Sequence, residues 1–583
     1  MPVDISGGRL QLARRLRIPA LFCALAVLGC ELVSRPYASM SVCDDGPYIL
    51  MARTLATTGH FAYNGWAAPM IGWQLYLGAA FIKLFGFSFT AVRFSTVLVA
   101  MVLAFILQRT LVLVGITERN ATLGTLAFVL SPLYLMLSVT YMTDIFGLFA
   151  IVICLYGCLH ALQSATERST ILWLCFSVAT NAVFGTARQI AWLGILILVP
   201  STLWLLSAQR RVLLIGAIAN FAAILFMIVC LHWLKHQPYV IPERLLPDTL
   251  SPAHVLGQLA YLFLEAPFLL LPIVTLFLPE IRKTPRLVFE GISLLLLGYL
   301  FLAWFPNHLR GNFLLEPTIG WEAGWVGVHG IFEGTSLGGI PPIFLSRGVQ
   351  VLLTVTSLGG MIGLLVTLLR NRSSAESSHS KSAISRKHLG LLLTPVTMAY
   401  IVLLIPRSTG WLYDRYLLPI LIMALVFLIR SYQDRINPRL PLASGLLIFL
   451  VAIYGVAVTH NTFSLYRARV AMAAELNAHG VPDTSVDNGW EYNLGVELQH
   501  APSINFPTIE IPANAYVPVT VNAGICPMHF YNYTPHIHPL FGISFHPDAC
   551  YGPAPFAPMK YSRWLASRPG ALYVVRIAAP ALP

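Results

Sequence analysis

Two carboxylates stand side by side in the stretch "SVCDDGPYILMARTLATTGHFAYNGW" (residues 41–66): Asp44 and Asp45. Adjacent like charges repel and are costly to desolvate at a membrane surface, so the pair calls for a reason. A third carboxylate, Asp144, lies inside the apolar run "SVTYMTDIFGLF", where a lone charge is expensive unless it is paired or functional. Side chains placed in this way can serve as a general base, a metal ligand or a proton relay, or can sit as solvated loop residues.

The chain around these residues is built for a bilayer. Of its 583 residues, 57% are hydrophobic and only 11% charged, against about 25% charged in an ordinary soluble domain. A soluble core cannot absorb that excess, so the fold class is a polytopic α-helical membrane protein. Apolar runs at 18–35, 89–108, 121–139, 143–163, 170–187, 189–207, 212–231, 258–279, 287–305, 348–369, 389–405, 417–430 and 441–459 give thirteen spans. The run at 69–86 carries Gln74 and Lys83 and is assigned to the interface. With that choice and a cytoplasmic basic N-terminus (1–17), 20 of the 37 Lys and Arg residues fall on inner segments, as the positive-inside rule expects. Letting 69–86 cross would invert the densest basic loops.

This topology puts a first outer loop at 36–88 and gathers Asp44, Asp45 and Asp144 on one membrane face. Arg188 in "GTARQIAW" and Arg415 in "YDRYLLP" share that face. Arg188 opposes the charge rule there and is the first candidate for an anion ligand. Arg415 is the second, with Asp414 as its alternative partner. Arg53 is expected to pair with Asp45 or with its own loop. "YILMARTLATTG" is amphipathic, and its Tyr48, Ile49, Ala52 and Leu55 are expected to lie on the membrane. Residues 460–583 return to soluble composition and form a small outer α/β domain, in which "ARVAMAAELNAHGVPDTSVDNGWEYNLG" reads as helix, turn and then a strand ending at "DNGWEYN". The serine-rich inner loop at 373–385 reads as a linker.

The net charge of +12 is explained by orientation and gives no case for nucleic acid. The nine cysteines show no metal spacing. Cys526 and Cys550 form a disulfide if the tail faces an oxidising compartment. His536 and His538 lack further ligands for a metal site, and "NYT" at 532–534 fits a glycosylation sequon. No Walker loop or dinucleotide fingerprint is visible.

The ordered series of motifs resembles the GT-C superfamily of membrane glycosyltransferases, in the protein O-mannosyltransferase and aminoarabinose-transferase-like branch. The carrying motifs are the Asp44–Asp45 pair, "APMIGWQLYLGAAFIKLFG", "FTAVRFSTVLVAMVLAFIL", "LAFVLSPLYLMLSVTYMTDIFGLFAIVICLYG" and "RYLLPILIMAL". Asp45 stands where that family more often has Glu. The resemblance implies a GT-C fold and a sugar on a polyprenyl phosphate as donor substrate, since no nucleotide sugar is available outside the membrane. It implies Asp44 as general base, Asp45 and Asp144 as orienting or stabilising carboxylates, and inversion at the sugar. Arg188 and Arg415 would hold the lipid phosphate. Tyr63 and Trp66 would line the sugar pocket or form an interfacial aromatic belt. The acceptor is a glycan, a lipid or a protein, no divalent metal is expected, and the implied location is a bacterial inner membrane with an extracytoplasmic site. The competing readings are a lipid or polysaccharide transporter, which calls for charges at mid-depth and repeat symmetry, and a membrane scaffold. Asp44 and Asp144 are expected to border one outward-opening cavity.

Overall fold

The computed structural model describes residues 17–242, 251–283, 345–370, 384–407, 413–520 and 531–578, with Cys526 and short runs between 286 and 342. Arg9, Arg14 and Arg15, most of the 287–305 run, the loop 306–347 in large part, and nearly all of the serine-rich loop lie outside the described residues.

Among the described residues, eight helices are long and apolar enough to cross a membrane, from Phe89–Leu113 to Leu442–Ala478. The pair Glu118–Val129 and Pro132–Ser138, bent by 68°, makes a ninth when the two are counted as one broken span. The break has a local cause. Pro132 brings no N–H to continue the first helix, and Ser131 restarts the next by accepting from the Tyr134 amide. Besides that bent run, three of the thirteen expected runs are not single long helices here. Ile18–Ser34 and Gln189–Leu205 are shorter apolar helices. The 258–279 run breaks near Leu270 among Pro267, Pro272 and Pro279. The 287–305 run lies largely outside the described residues. The chain is an integral, multi-pass membrane protein. The ambiguous 69–86 run is a helix of only 14 residues, Gly72–Phe85, short of the ~20 needed to cross.

The two ends of the bundle differ in chemistry. At one end Arg109 meets Glu118, Arg386 and Arg430 meet Asp434, and Lys283 meets Glu280. Gln433 and Arg430 tie the same end together by donating to the Gly115 and Val114 carbonyls. These are the basic segments assigned to the inside. The opposite end carries the 36–71 loop, the helix starts at Thr143 and Asp414, the turn at Arg188, and the C-terminal domain.

Three expectations about that end change. Tyr48, Ile49, Ala52 and Leu55 do not lie on lipid; they are buried in the main core, because their helix, Asp45–Thr58, packs along Gly72–Phe85. The last span does not stop at 459 but runs as one 37-residue helix to Ala478, so the tail domain is held on a rigid extension of the bundle. "GWEYN" is the start of the helix Gly489–His500, not a strand. Its Trp490, Asn493, Leu494 and Glu497 are buried at helical spacing, whereas only Val486–Asp487 is extended. The domain's sheet pairs Val486–Asp487 in parallel with Phe541–Ser544, then runs antiparallel through Gly570–Arg576 to Met559–Tyr561. Cys526 and Cys550 are bridged.

Candidate active site

Asp45 is the knot of the first loop. Arg93 donates to it through Nε (2.7 Å to Oδ2) and Nη2 (3.0 Å to Oδ1), and the backbone N–H groups of Val42 (2.8 Å) and Tyr141 (3.2 Å) complete its contacts. The same guanidinium donates to the Ala38 and Met40 carbonyls. Both partners are inaccessible to solvent. A bidentate, hydrogen-bonded pair of this kind is the form in which a buried charge is tolerated. Asp45 therefore fastens the 38–45 turn to the Phe89–Leu113 span and to Tyr141, and its oxygens are committed to that task. Its ion partner is Arg93, not Arg53, whose guanidinium lies 4.6 Å from the centre of the Phe87 ring. Arg93 was missed in the sequence, although a charge four residues into "FTAVRFSTV" carries the same signal that singled out Asp144.

Asp44 is presented differently. It stands at the residue before the helix that Asp45 begins, with no side-chain hydrogen bond to the helix end, and it is the most exposed of the three carboxylates, at 26% of its side chain. Arg415 Nη2 lies 3.8 Å from its Oδ2, and the indole N–H of Trp490 donates to Oδ1 at 3.2 Å. Burial pushes the Asp44 carboxyl above the usual aspartate range; Arg415 and the Trp490 hydrogen bond oppose that shift, while Glu491 and Asp45 add to it. Asp414 accepts from the backbone N–H of Arg415.

Asp144 begins the helix Thr143–Gln163 and forms an ion pair with Arg188. Arg188 reaches it because Gly147, one turn further on, leaves room: a Cβ there would sit 3.2 Å from the Arg188 side chain. The turn that carries Arg188 is pinned on both sides. Gln189 donates to the Ala68 carbonyl, Thr186 accepts from the Trp73 amide, and Asn181 holds the Ala150 and Ala191 carbonyls and the Ile195 amide.

The two acid–arginine pairs meet on one ring. The Arg188 guanidinium lies 4.8 Å and that of Arg415 5.3 Å from the centre of the Tyr416 ring. Cations at this distance from an aromatic face are attracted to it. Tyr416 is held in turn by the Tyr400 hydroxyl, which donates to its carbonyl. Asp44, Asp144, Arg188 and Arg415 thus converge as the sequence reading expects, through an aromatic residue it did not single out. Tyr48 faces the same group: burial, with Asp44 and Asp144 close by, pushes its hydroxyl up.

Tyr63 is buried and donates to the Met70 carbonyl at 2.7 Å, so it closes its own loop. Trp66 is half-buried in an aromatic cluster with Trp490 (4.6 Å between ring centres), Phe506 and Tyr533. A cavity of about 610 Å³ lies beside Arg188, lined by Gln189, Trp192, Leu196, Met227, Lys235 and Leu403 among others. Its walls include neither Asp44 nor Asp144, so it is a hollow to one side of the acids, which meet around Tyr416. His536 pairs with Glu497, and among the described residues no group of three or more His, Cys, Asp or Glu side chains is placed to hold a metal ion.

No family model and no curated protein matches the chain. Among solved structures it is similar to ArnT from Cupriavidus metallidurans bound to undecaprenyl phosphate, with a TM-score of 0.43 and 12% identity over 95% of this chain and 98% of that one. It is also similar to the apo oligosaccharyltransferase of Archaeoglobus fulgidus (TM-score 0.43, 13% identity, 89% of this chain and 64% of that one). The S. cerevisiae protein O-mannosyltransferase Pmt1-Pmt2 complex bound to the sugar donor matches over 37% of this chain and 32% of that one, with a TM-score of 0.27 and 14% identity. Likeness at this level carries no argument about chemistry.

Proposed function

We propose that the chain is a membrane glycosyltransferase of the GT-C type, which moves a sugar from a polyprenyl-phosphate donor to an acceptor hydroxyl at the extracytoplasmic face. The observation that carries this is the convergence of Asp44–Arg415 and Asp144–Arg188 on Tyr416, at the end of the bundle opposite the basic loops, beside an apolar hollow. A carboxylate, two guanidiniums and an apolar hollow in one place fit a substrate with an anionic head, a sugar and a hydrocarbon tail. Basic loops at the other end support an outward orientation of this face.

In this reading the arginines hold the donor phosphate, for which the planar guanidinium is well shaped. Asp44 takes the proton of the acceptor hydroxyl as its oxygen attacks the anomeric carbon from the side opposite the phosphate. The bond from that carbon to the phosphate oxygen breaks, the electron pair leaves with polyprenyl phosphate, and the configuration inverts. The upward push on the Asp44 carboxyl makes it a better base than an exposed aspartate. Asp144 keeps Arg188 in place. No divalent cation is required, and transfer is expected to persist in EDTA. The membrane is a bacterial inner membrane, and the acceptor is a glycan, a lipid or a protein.

The test is transfer by purified protein in lipid, with radiolabelled polyprenyl-phosphate sugars and a panel of acceptors, comparing wild type with Asp44→Asn. Equal transfer by both ends the assignment of the base. Lipid movement without transfer by the wild type would replace the enzyme with a transporter.

A further inference from the structure

The first outer loop is not free-standing. Ile504 donates its amide to the Asn64 carbonyl, Gly65 to the Tyr239 carbonyl, Tyr239 to the Ile511 carbonyl and Ile241 to the Ala67 carbonyl. The C-terminal domain and the 239–241 strand-like segment thus clamp residues 64–67. Gly65 is required at the closest point: its φ is +86°, and a Cβ would meet the Ile504 carbonyl oxygen at 2.7 Å. From the same domain the helix Gly489–His500 delivers Trp490 to Asp44.

We infer that Trp490 is a positioning residue for Asp44, holding one carboxylate oxygen through its indole N–H and setting the pH at which that carboxylate works. The inference rests on the reading of Asp44 as the base. Trp490 is 446 residues from its acceptor and is fixed from both sides. On one side it packs on Trp66, itself 4.6 Å away, and on Tyr533 at 5.3 Å. On the other, its neighbour Glu491 is fully buried in an ion pair with Arg469 at 2.9 Å and accepts from the Tyr466 hydroxyl. Arg469 also reaches Asn488. The network fixes the start of the helix that carries the indole, and the packed rings of Trp66 and Tyr533 hold the indole itself.

The other groups facing Asp44 are Arg415 from the Asp414–Leu417 turn, Glu491 from the Trp490 helix, and Cys43, Asp45 and Tyr48 from its own loop and helix. Two of them, Glu491 and Asp45, disfavour its charge, and Arg415 and Trp490 favour it. Removing the indole N–H leaves Arg415 as the main counterweight. A hydrogen bond to a charged group is strong enough to move a titration by about one pH unit.

The experiment is pH-dependent labelling of the full chain in lipid with dicyclohexylcarbodiimide, which attacks protonated carboxyl groups in apolar surroundings, read at Asp44 by mass spectrometry. Trp490→Phe is expected to raise the labelling midpoint by about one pH unit and to move the acid limb of kcat/KM by the same amount. Phe506→Leu, which loosens the aromatic cluster without touching the hydrogen bond, is expected to leave the midpoint in place. An unmoved midpoint in Trp490→Phe overturns the inference while leaving Asp44 as base. A moved midpoint in a protein that transfers no sugar removes the glycosyltransferase reading while the coupling stands. Should Trp490→Phe fail to fold, the indole ultraviolet difference spectrum of the wild type is titrated instead. A transition at the labelling midpoint that is absent from Asp44→Asn supports the coupling, and one that persists unchanged in that variant overturns it.

Discussion

Asp45→Asn separates the two adjacent aspartates by their physical tasks. Each oxygen of Asp45 accepts from one Arg93 nitrogen and one backbone N–H. Asparagine turns one oxygen into a donor, so two of these four donors lose their acceptor whichever oxygen is replaced. Hydrogen bonds to a charged group contribute about 1.5–3 kcal/mol each, which sets the loss at roughly 3–6 kcal/mol. Breaking a buried ion pair from one side costs about 3–5 kcal/mol by a separate route, and the two figures agree. The assay is thermal unfolding of purified protein in nanodiscs, with transfer measured well below the midpoint. Asp45→Asn should unfold several degrees earlier yet retain transfer while folded. Asp45→Leu combined with Arg93→Met should recover part of the loss, since no buried charge is left alone. If Asp45→Asn unfolds with the wild type and transfers nothing, Asp45 takes part in the chemistry and the structural assignment is wrong.

Asp44→Asn should behave in the opposite way, losing about 10²–10⁴-fold in kcat with an unfolding midpoint at or above the wild type's. The sign follows from linkage: a carboxyl raised by burial binds its proton more tightly folded than unfolded, so the ionised form costs stability above the unfolded pKa, and asparagine removes that cost. Wild-type transfer should fall toward acid pH as Asp44 takes up its proton, with the fall beginning at a higher pH than an ordinary aspartate near ~3.9 would give; an acid limb at or below that value contradicts the buried setting. Arg188→Gln should raise KM for the lipid-linked donor and leave Asp144 buried without its cation, so both the donor-concentration curve and the unfolding midpoint should move. Gly65→Ala should destabilise the chain by at least about 1 kcal/mol, since it forces a positive φ on an L-residue and a clash with Ile504; a wild-type midpoint would show that the clamp is loose.

The membrane class, most of the spans, the basic end of the bundle and three carboxylates on the other face were readable in the sequence, because hydropathy and charge act locally and additively along the chain. Asp144 was legible for the same reason: one charge in an apolar run is its own signal. That signal was present at Arg93 too, but the choice between Arg93 and Arg53 for Asp45 is made by the packing of the 38–45 turn on the Phe89–Leu113 span, and no spacing rule encodes it. Tyr416 becomes a bridge only because the Asp414–Leu417 turn and the Arg188 turn come to share one ring, 227 residues apart in numbering for their arginines (415 and 188). Trp490 reaches Asp44 only because the last span continues unbroken into the tail and brings the C-terminal domain back over the first loop. Composition and charge settle which segments are apolar enough to span and which end of the bundle is basic. Which charged group meets which is decided by tertiary packing, since a buried ion pair holds only where both partners are desolvated together in matching geometry.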